Sequence, residues 1–245
     1  MTNKIEHAFI LTAGKGTRLR PYTDDKPKPM VEIDGKPILH YIVEKIKQFG
    51  IKNITMNLFY LGDRIEKYFK GSTNPRIHFS HENTLLDTGG GVKKALSNMQ
   101  GEPFFLINGD AFWQDTPAIS ALEQLARDWN PDIMDMLLLL QPVKEMILTQ
   151  GVGDYNFQES NNIIRTLDQS GSHMFTGIRI VHPRIFDDTP EGAFSFLHCM
   201  DKAQEAGRLY GVSYEGQWHH ISTPKDLESV NELLQQEKHI QPQTA

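Results

Sequence analysis

Apolar and polar positions alternate between two periods along the first 150 residues. The run "HAFILT", His7 to Thr12, is short, mostly apolar and followed two residues on by Gly14, as a buried strand would be. After Pro37 the apolar residues Ile38, Leu39, Ile42, Val43 and Ile46 recur on one helical face, and Gly50 supplies the stop. The same reading predicts strands at Asn53–Leu58, Arg76–Ser80, Phe104–Asn108 and Asp135–Leu140. It predicts helices over Leu61–Phe69, Val92–Met99 and Ala118–Trp129. Strands that are apolar throughout, alternating with one-sided helices, imply an α/β fold with a mostly parallel, mixed sheet flanked by helices.

After about Gln150 the rhythm changes. "YNFQESNNIIRTL" predicts a hairpin across Ser160–Asn162, "MFTGIRIV" a strand, Ser195–Ala206 a helix, Tyr210–Tyr214 a strand and Lys225–Gln236 a last helix. No Pro- or Ser-rich linker separates the halves, so residues 1–245 read as one domain. Residues 1–150 form its first half, 151–236 its second, and 237–245 are expected to be a frayed tail.

Composition narrows the class. The formal net charge of −6 argues against a general nucleic-acid binder. Cys199 is the only cysteine, which rules out an intrachain disulfide framework and suits a reducing cytoplasm. "AFILTAG" is too short for a signal segment and "MLLLL" too short to span a membrane, so a cytoplasmic protein without membrane partners is expected.

The positive charge is local. "LTAGKGTRLRPYTDDKPKPM", Leu11 to Met30, puts Gly14, Gly16, Arg18, Arg20, Lys26 and Lys28 directly behind the first strand. Ligands of open parallel sheets bind beyond the carboxyl ends of the strands. Glycines there let backbone N–H groups approach a ligand, and the cations suit phosphate. The loop is neither common phosphate motif. It lacks the Gly-Lys-Ser/Thr ending of one, and Leu19 stands where the dinucleotide fingerprint needs its third glycine. Pro21, Pro27 and Pro29 oppose a helix, so the segment is expected to stay extended and wrap a triphosphate.

Asp110 follows the apolar strand "FFLIN" and so emerges at the ligand-facing edge, where a carboxylate suits Mg²⁺ shared with substrate phosphates. A turn or helix-capping aspartate is the competing explanation. Lys93 and Lys94 are expected to open a helix and face solvent. Trp113 and Asp115 either rim a pocket or serve packing and capping. Cys199, Met134 and Met136 read as core.

Taken together, "GKGTRLRPYTDDKPKPM", "LDTGGGVKKAL", "LINGD", "FTGI" and "GQWHHISTPKDL", in that order, resemble the signature segments of the sugar-1-phosphate nucleotidyltransferases. The resemblance covers most of the chain. It is strongest to the short bacterial branch that uridylylates N-acetylmuramate α-1-phosphate in cell-wall recycling. It implies a single-domain Rossmann-like nucleotide-diphospho-sugar transferase fold and two small-molecule substrates, an NTP (UTP by that branch) and a sugar 1-phosphate. It says nothing of the oligomeric state.

The resemblance also implies roles. Leu11, Ala13 and Gly14 line base and ribose. Gly16, Thr17 and Arg18 hold the β- and γ-phosphates, and Lys28 contacts the α-phosphate. Asp87, Thr88 and Gly89 bound the base pocket. Asn108 and Asp154 contact sugar, and Thr176 and Gly177 approach its phosphate. Arg18, Lys28 and Asp110 form the catalytic set.

One position departs from the family. His220 stands where the pattern has a second metal-binding aspartate, and Ser222 where it has glycine. His220 can join Asp110 as a metal ligand, which favours Mn²⁺ beside Mg²⁺, or bind a metal-bound water, or touch phosphate, or be structural. Its neighbour His219 would point the other way on a strand. Other substrate pairs stay open, namely GTP with mannose 1-phosphate or dTTP with glucose 1-phosphate, as do a phosphocholine cytidylyltransferase and a catalytically weak nucleotide-sugar-binding regulator.

Overall fold

A computed structural model describes residues 4–148 and 152–240. In chain order the elements are β1 (His7–Leu11), β2 (Glu32–Ile33), β3 (Lys36–Pro37), α1 (Ile38–Phe49), β4 (Asn53–Leu58), α2 (Gly62–Phe69) and β5 (Arg76–His81). There follow α3 (Asp87–Lys94), β6 (Phe104–Asn108), β7 (Phe112–Gln114), α4 (Ala121–Asp128), β8 (Met136–Pro142), β9 (Tyr155–Phe157) and β10 (Ile163–Arg165). The chain continues through β11 (His173–Val181), α5 (Leu197–Glu205), β12 (Leu209–Ser213), β13 (Gln217–His219) and α6 (Pro224–Ile240).

Strands from both ends of the chain share one sheet. Its path runs β10–β9–β11–β6–β1–β4–β5, with β8 on β11 and β12 on β8. The pairs β6–β1, β1–β4 and β4–β5 are parallel, and β11 enters antiparallel to β6. The period of two divides the core between the faces. Ala8, Ile10, Phe105, Ile107, Leu137 and Leu139 pack in the layer that holds α1 and α4. Phe9, Phe104, Leu106, Leu138 and Leu140 pack in the layer beneath α3 and α5. Each fully buried Leu, Ile or Phe among them contributes about 1.5–3 kcal/mol. Among the described residues no helix is long and apolar enough to cross a membrane.

Four sequence readings are corrected. The helix expected from Val92 begins at Asp87, so Gly89, Gly90 and Gly91 lie inside it. Glycine is a poor helix former, and packing overrides propensity here: a Cβ at Gly90 would sit 2.1 Å from the Gly192 carbonyl oxygen. The basic loop is not extended throughout, because Thr17–Leu19 and Lys28–Met30 form single 3-10 turns, the second with Pro29 near its start. Lys93 and Lys94 end their helix and are both engaged. Lys93 binds Glu191 at 2.6 Å and the Thr189 carbonyl at 2.9 Å, and Lys94 binds the His81 carbonyl. The last helix runs on to Ile240, tied by Gln114 Nε2 donating to Glu237 (2.8 Å) and Lys238 to Asp34 (2.5 Å). Residues 241–245 of the expected tail lie outside the described residues.

Asp135 joins the start of β8 to its surroundings. Its Oδ1 accepts from Arg184 Nε at 2.5 Å and from Arg208 Nε at 2.8 Å. Burial pushes this carboxyl up, but the hydrogen bonds from Arg208 and Arg184 outweigh it and hold it below the ordinary 3.8. A depressed folded-state value favours the ionised fold, so the contribution is complete above 3.8 and is lost as pH falls through the lower folded value. Asp135→Asn is expected to cost about 2 kcal/mol at pH 7, between exposed and buried pairs. The gap between wild type and variant in urea unfolding should narrow below about pH 4. A gap that is constant down to pH 3 would show that the charge is not what stabilises.

Candidate active site

The carboxyl ends of β1, β4 and β6 open into a cleft of about 500 Å³. The basic loop forms one wall. Gly16 carries a positive φ of 61°, and a Cβ there would lie 2.7 Å from Lys28 Cβ. Thr23 Oγ1 donates to the Gly16 carbonyl at 2.9 Å and closes the loop on itself. Gly16 is therefore the turn that lets Lys28 fold back over the cleft. Gly14 differs: its φ is not positive and a Cβ would meet nothing within 4 Å, so what it offers is space. Leu11, Ala13, Thr17 and Arg18 line the same wall.

At the centre Lys28 Nζ donates to Asp110 Oδ2 at 2.6 Å. The lysine side chain is 13% exposed and the aspartate 38%, so the pair sits on the cleft floor with the carboxylate outward. On the β4 side Asn57 lines the cleft within a buried chain of polar groups. Asn57 Oδ1 accepts from the Thr12 N–H at 2.9 Å, and its Nδ2 donates to Glu82 Oε1 at 2.7 Å. Glu82 Oε2 in turn accepts from the Leu86 N–H at 2.9 Å. This locks the first strand's end to the segment that leads into α3. There Asp87 adopts a φ of 59°, rare outside glycine, and its side chain accepts from the Thr88 N–H. Asp87 and Thr88 both line the cleft.

His219 and His220 point apart, as a strand requires. Gln114 Nε2 donates to Glu237, so its Oε1 faces His219 and accepts from Nε2 at 2.8 Å. His220 packs against the Trp218 ring, 5.5 Å between centroids, and feels the charges of Asp226, Lys28, Asp110 and Arg18. Burial pushes its imidazole down most; Asp226 and Asp110 oppose this, while Lys28 and Arg18 add to it. The net direction is toward the neutral ring, the form able to bind a metal. Ser222 lines the cleft, and its N–H and that of Thr223 donate to Asp226 at the head of α6.

Among the described residues no group of three or more His, Cys, Asp or Glu could hold a metal ion by itself. The Asp110 carboxylate, 38% exposed on the cleft floor, offers the oxygen donors that suit a divalent cation sharing its coordination with substrate phosphates.

Besides His220, four residues read as site residues are not on the cleft wall. Gly89 is buried, a Cβ there would lie 2.4 Å from the Phe194 ring, and its N–H donates to the Phe194 carbonyl at 2.9 Å. Asp154 accepts from the Phe175 N–H at 3.0 Å. Thr176 is buried and donates to the Leu139 carbonyl at 2.8 Å. Gly177, with a φ of 81°, makes the irregularity in β11 against which Asn108 rests. Asn108, which does line the cleft, packs on Gly177. Trp113 and Asp115 prove structural: Asp115 accepts from Trp113, Ala121, Tyr214 and Lys45. The Cys199 thiol is buried and pushed up to about 11.

A mostly parallel sheet, a closed basic loop, a lysine–carboxylate pair and a locked strand end form one cleft whose cations suit phosphate. The chain belongs to the nucleotidyl transferase family, whose model matches residues 7–148. Its relatives are sugar nucleotidyltransferases. It is 32% identical to the N-acetylmuramate alpha-1-phosphate uridylyltransferase of Caulobacter vibrioides over 225 residues, 89% of this chain and 92% of that one. It is 30% identical to the bifunctional protein GlmU of Methanococcus maripaludis over 238 residues, and spans 53% of that longer protein. In fold it matches a crystal structure of UDP-glucose pyrophosphorylase complexed with UDP-glucose, with a TM-score of 0.81 at 16% identity over 96% of this chain and 100% of that one.

Gly16→Ala tests the loop. A methyl group at a φ of 61° is strained and drives into Lys28 Cβ. Turnover should fall on the order of a hundredfold, the usual price of a misplaced catalytic group. Gly14→Ala should leave Lys28 in place and raise the KM for nucleotide instead. Equal kinetics for Gly16→Ala and wild type would show that the turn does not position Lys28.

Proposed function

We propose that this chain couples UTP to N-acetylmuramic acid 1-phosphate, giving the UDP-sugar and pyrophosphate in cytoplasmic cell-wall sugar recycling. The observation that carries the reading is the convergence of Arg18, Lys28 and Asp110 on one cleft, with Lys28 and Asp110 2.6 Å apart. The similarity to a uridylyltransferase of that specificity over 89% of the chain supports the substrate pair.

The sugar phosphate oxygen is already an anion, so the reaction needs no strong general base. That oxygen forms a bond to the α-phosphorus, the bond from α-phosphorus to the bridging oxygen breaks, and pyrophosphate leaves. What the protein must do is hold two polyanions in line and stabilise charge at phosphorus. In this account Gly16, Thr17 and Arg18 hold the β- and γ-phosphates and Lys28 meets the α-phosphate. Leu11, Ala13 and Gly14 accept base and ribose, bounded by Asp87 and Thr88, and Asn108 faces the sugar. Asp110 and His220 would hold Mg²⁺ or Mn²⁺, which supplies further neutralisation of phosphate charge when bound.

The test is a pyrophosphate-release screen of four nucleoside triphosphates against a panel of sugar 1-phosphates, with Mg²⁺ or Mn²⁺. UTP with N-acetylmuramic acid 1-phosphate should give the highest kcat/KM. Preference for GTP with mannose 1-phosphate or dTTP with glucose 1-phosphate would replace the substrates and keep the chemistry. Tight nucleotide-sugar binding without turnover of any pair would replace the enzyme with a regulator.

A further inference from the structure

Arg179 lies in β11 between Ile178 and Ile180 and is 2% exposed. Its register partners are Leu106 and Leu138, so its side chain runs through the apolar layer beneath α3 and α5. The guanidinium carbon sits 4.4 Å from the Phe196 ring centroid and 5.1 Å from that of Phe175. Nε has no partner. The one side-chain hydrogen bond it makes among the described residues runs from Nη1 to Asn108 Oδ1, at 3.4 Å. No acidic side chain pairs with it among the described residues. Burial pushes it down to about 9, which still leaves it protonated at neutral pH. An unpaired charge in such a layer is worse for stability than an apolar side chain of similar length. Its use therefore lies elsewhere than in folding.

That use is legible at its tip. Arginine has five donors and no acceptor, so Asn108 must turn its oxygen to the guanidinium and its Nδ2 away. A Cβ at residue 177 would lie 2.9 Å from that Nδ2, so the bare Gly177 leaves the amide its room. Asn108 lines the cleft at the end of β6, whose two neighbours in the sheet are β1 and β11. The phosphate-binding loop follows β1. The β11 side is thus the side left for the sugar.

We propose that Arg179, acting through Asn108, makes the sugar side of the cleft selective for a sugar 1-phosphate that carries a carboxylate. The inference rests on the reading that this cleft takes a sugar 1-phosphate. A sugar hydroxyl would gain only the hydrogen bond from Nδ2. A carboxylate gains that bond, strengthened by its charge, together with a fixed positive charge one side chain behind it in a low-dielectric layer. The sugar's phosphate is served by the cations of the loop. Arg179 is a positioning residue, because Asn108 stands between it and the cleft.

The experiment measures kcat and KM at saturating UTP with N-acetylmuramic acid 1-phosphate, its carboxamide analogue and N-acetylglucosamine 1-phosphate. The proteins are wild type, Arg179→Met and Arg179→Lys. In wild type the carboxylated sugar should be favoured over its amide by about ten- to a hundredfold in kcat/KM, the range for a hydrogen bond to a charged group. In Arg179→Met that preference should collapse through KM, with severalfold smaller change for the neutral sugars, and Arg179→Lys should restore most of it. Equal losses on all three sugars in Arg179→Met, or wild type indifferent between acid and amide, would overturn the inference and leave the nucleotidyltransferase reading intact. Wild type that turns over none of the three would count against both. Should Arg179→Met fail to fold, the acid–amide comparison in wild type and Arg179→Lys decides alone.

Discussion

Replacement of Lys28 by alanine is expected to lower kcat by on the order of a hundred- to a thousandfold, with a much smaller change in the KM for triphosphate. In the proposed reaction the lysine ammonium meets charge that builds at the α-phosphorus, which puts its largest effect on the transition state rather than on ground-state binding. Its surroundings sharpen the expectation. Lys28 is held by the Gly16 turn on one side and by Asp110 at 2.6 Å on the other, and only 13% of its side chain is exposed. A preorganised cation of this kind needs no rearrangement when the reaction begins. Steady-state kinetics and triphosphate binding measured separately distinguish the two effects. A variant with wild-type turnover would remove Lys28 from the mechanism.

Asp110→Asn is expected to abolish metal-dependent turnover, by about three orders of magnitude or more, and to leave the fold intact. The side chains are nearly isosteric, and the pair it forms with Lys28 is partly exposed, so unfolding free energy should move by about 1 kcal/mol or less. Loss of the carboxylate charge removes the strongest oxygen donor for a divalent cation on the cleft floor. It also leaves the Lys28 ammonium without its counter-charge. Activity against metal concentration is the measurement. An unchanged metal titration would reduce Asp110 to a turn residue that steers Lys28.

Much of this site was written in local pattern. "AFIL" and "FFLI" are apolar throughout because both faces of β1 and β6 are covered, and the polar residues Thr12 and Asn108 after them mark the open edge. The stop at Gly50 was equally plain, since its φ of 98° suits glycine. The start of α3 was not. Three consecutive glycines argue against a helix, and only the approach of Gly192 and Phe194, a hundred residues away, reverses that. The small strands β7 and β13 were missed because each is too short to show a period, and they exist by pairing with each other. The cap of α4 could have been found, since Ser120 and Glu123 form a reciprocal capping box with a readable spacing. Asn57 and Arg179 carried a signal too, a polar group inside an apolar strand, but what each one faces depends on partners brought by the fold: Glu82 for one, Asn108 for the other. Gly89, Asp154 and Thr176 show the reverse, motif residues whose polar groups are used by neighbouring backbone.

The proposed reaction is attack by a sugar phosphate on the α-phosphorus of a nucleoside triphosphate in this cleft. It is tested most directly with UTP labelled either at the α-phosphorus or at the γ-phosphorus, incubated with the sugar 1-phosphate and divalent metal. The α-label should appear in the nucleotide-sugar and the γ-label only in pyrophosphate, and Lys28→Ala should slow both together. The γ-label found in inorganic phosphate or on the sugar, with the α-label left in UDP, would mean hydrolysis or kinase chemistry and would contradict it.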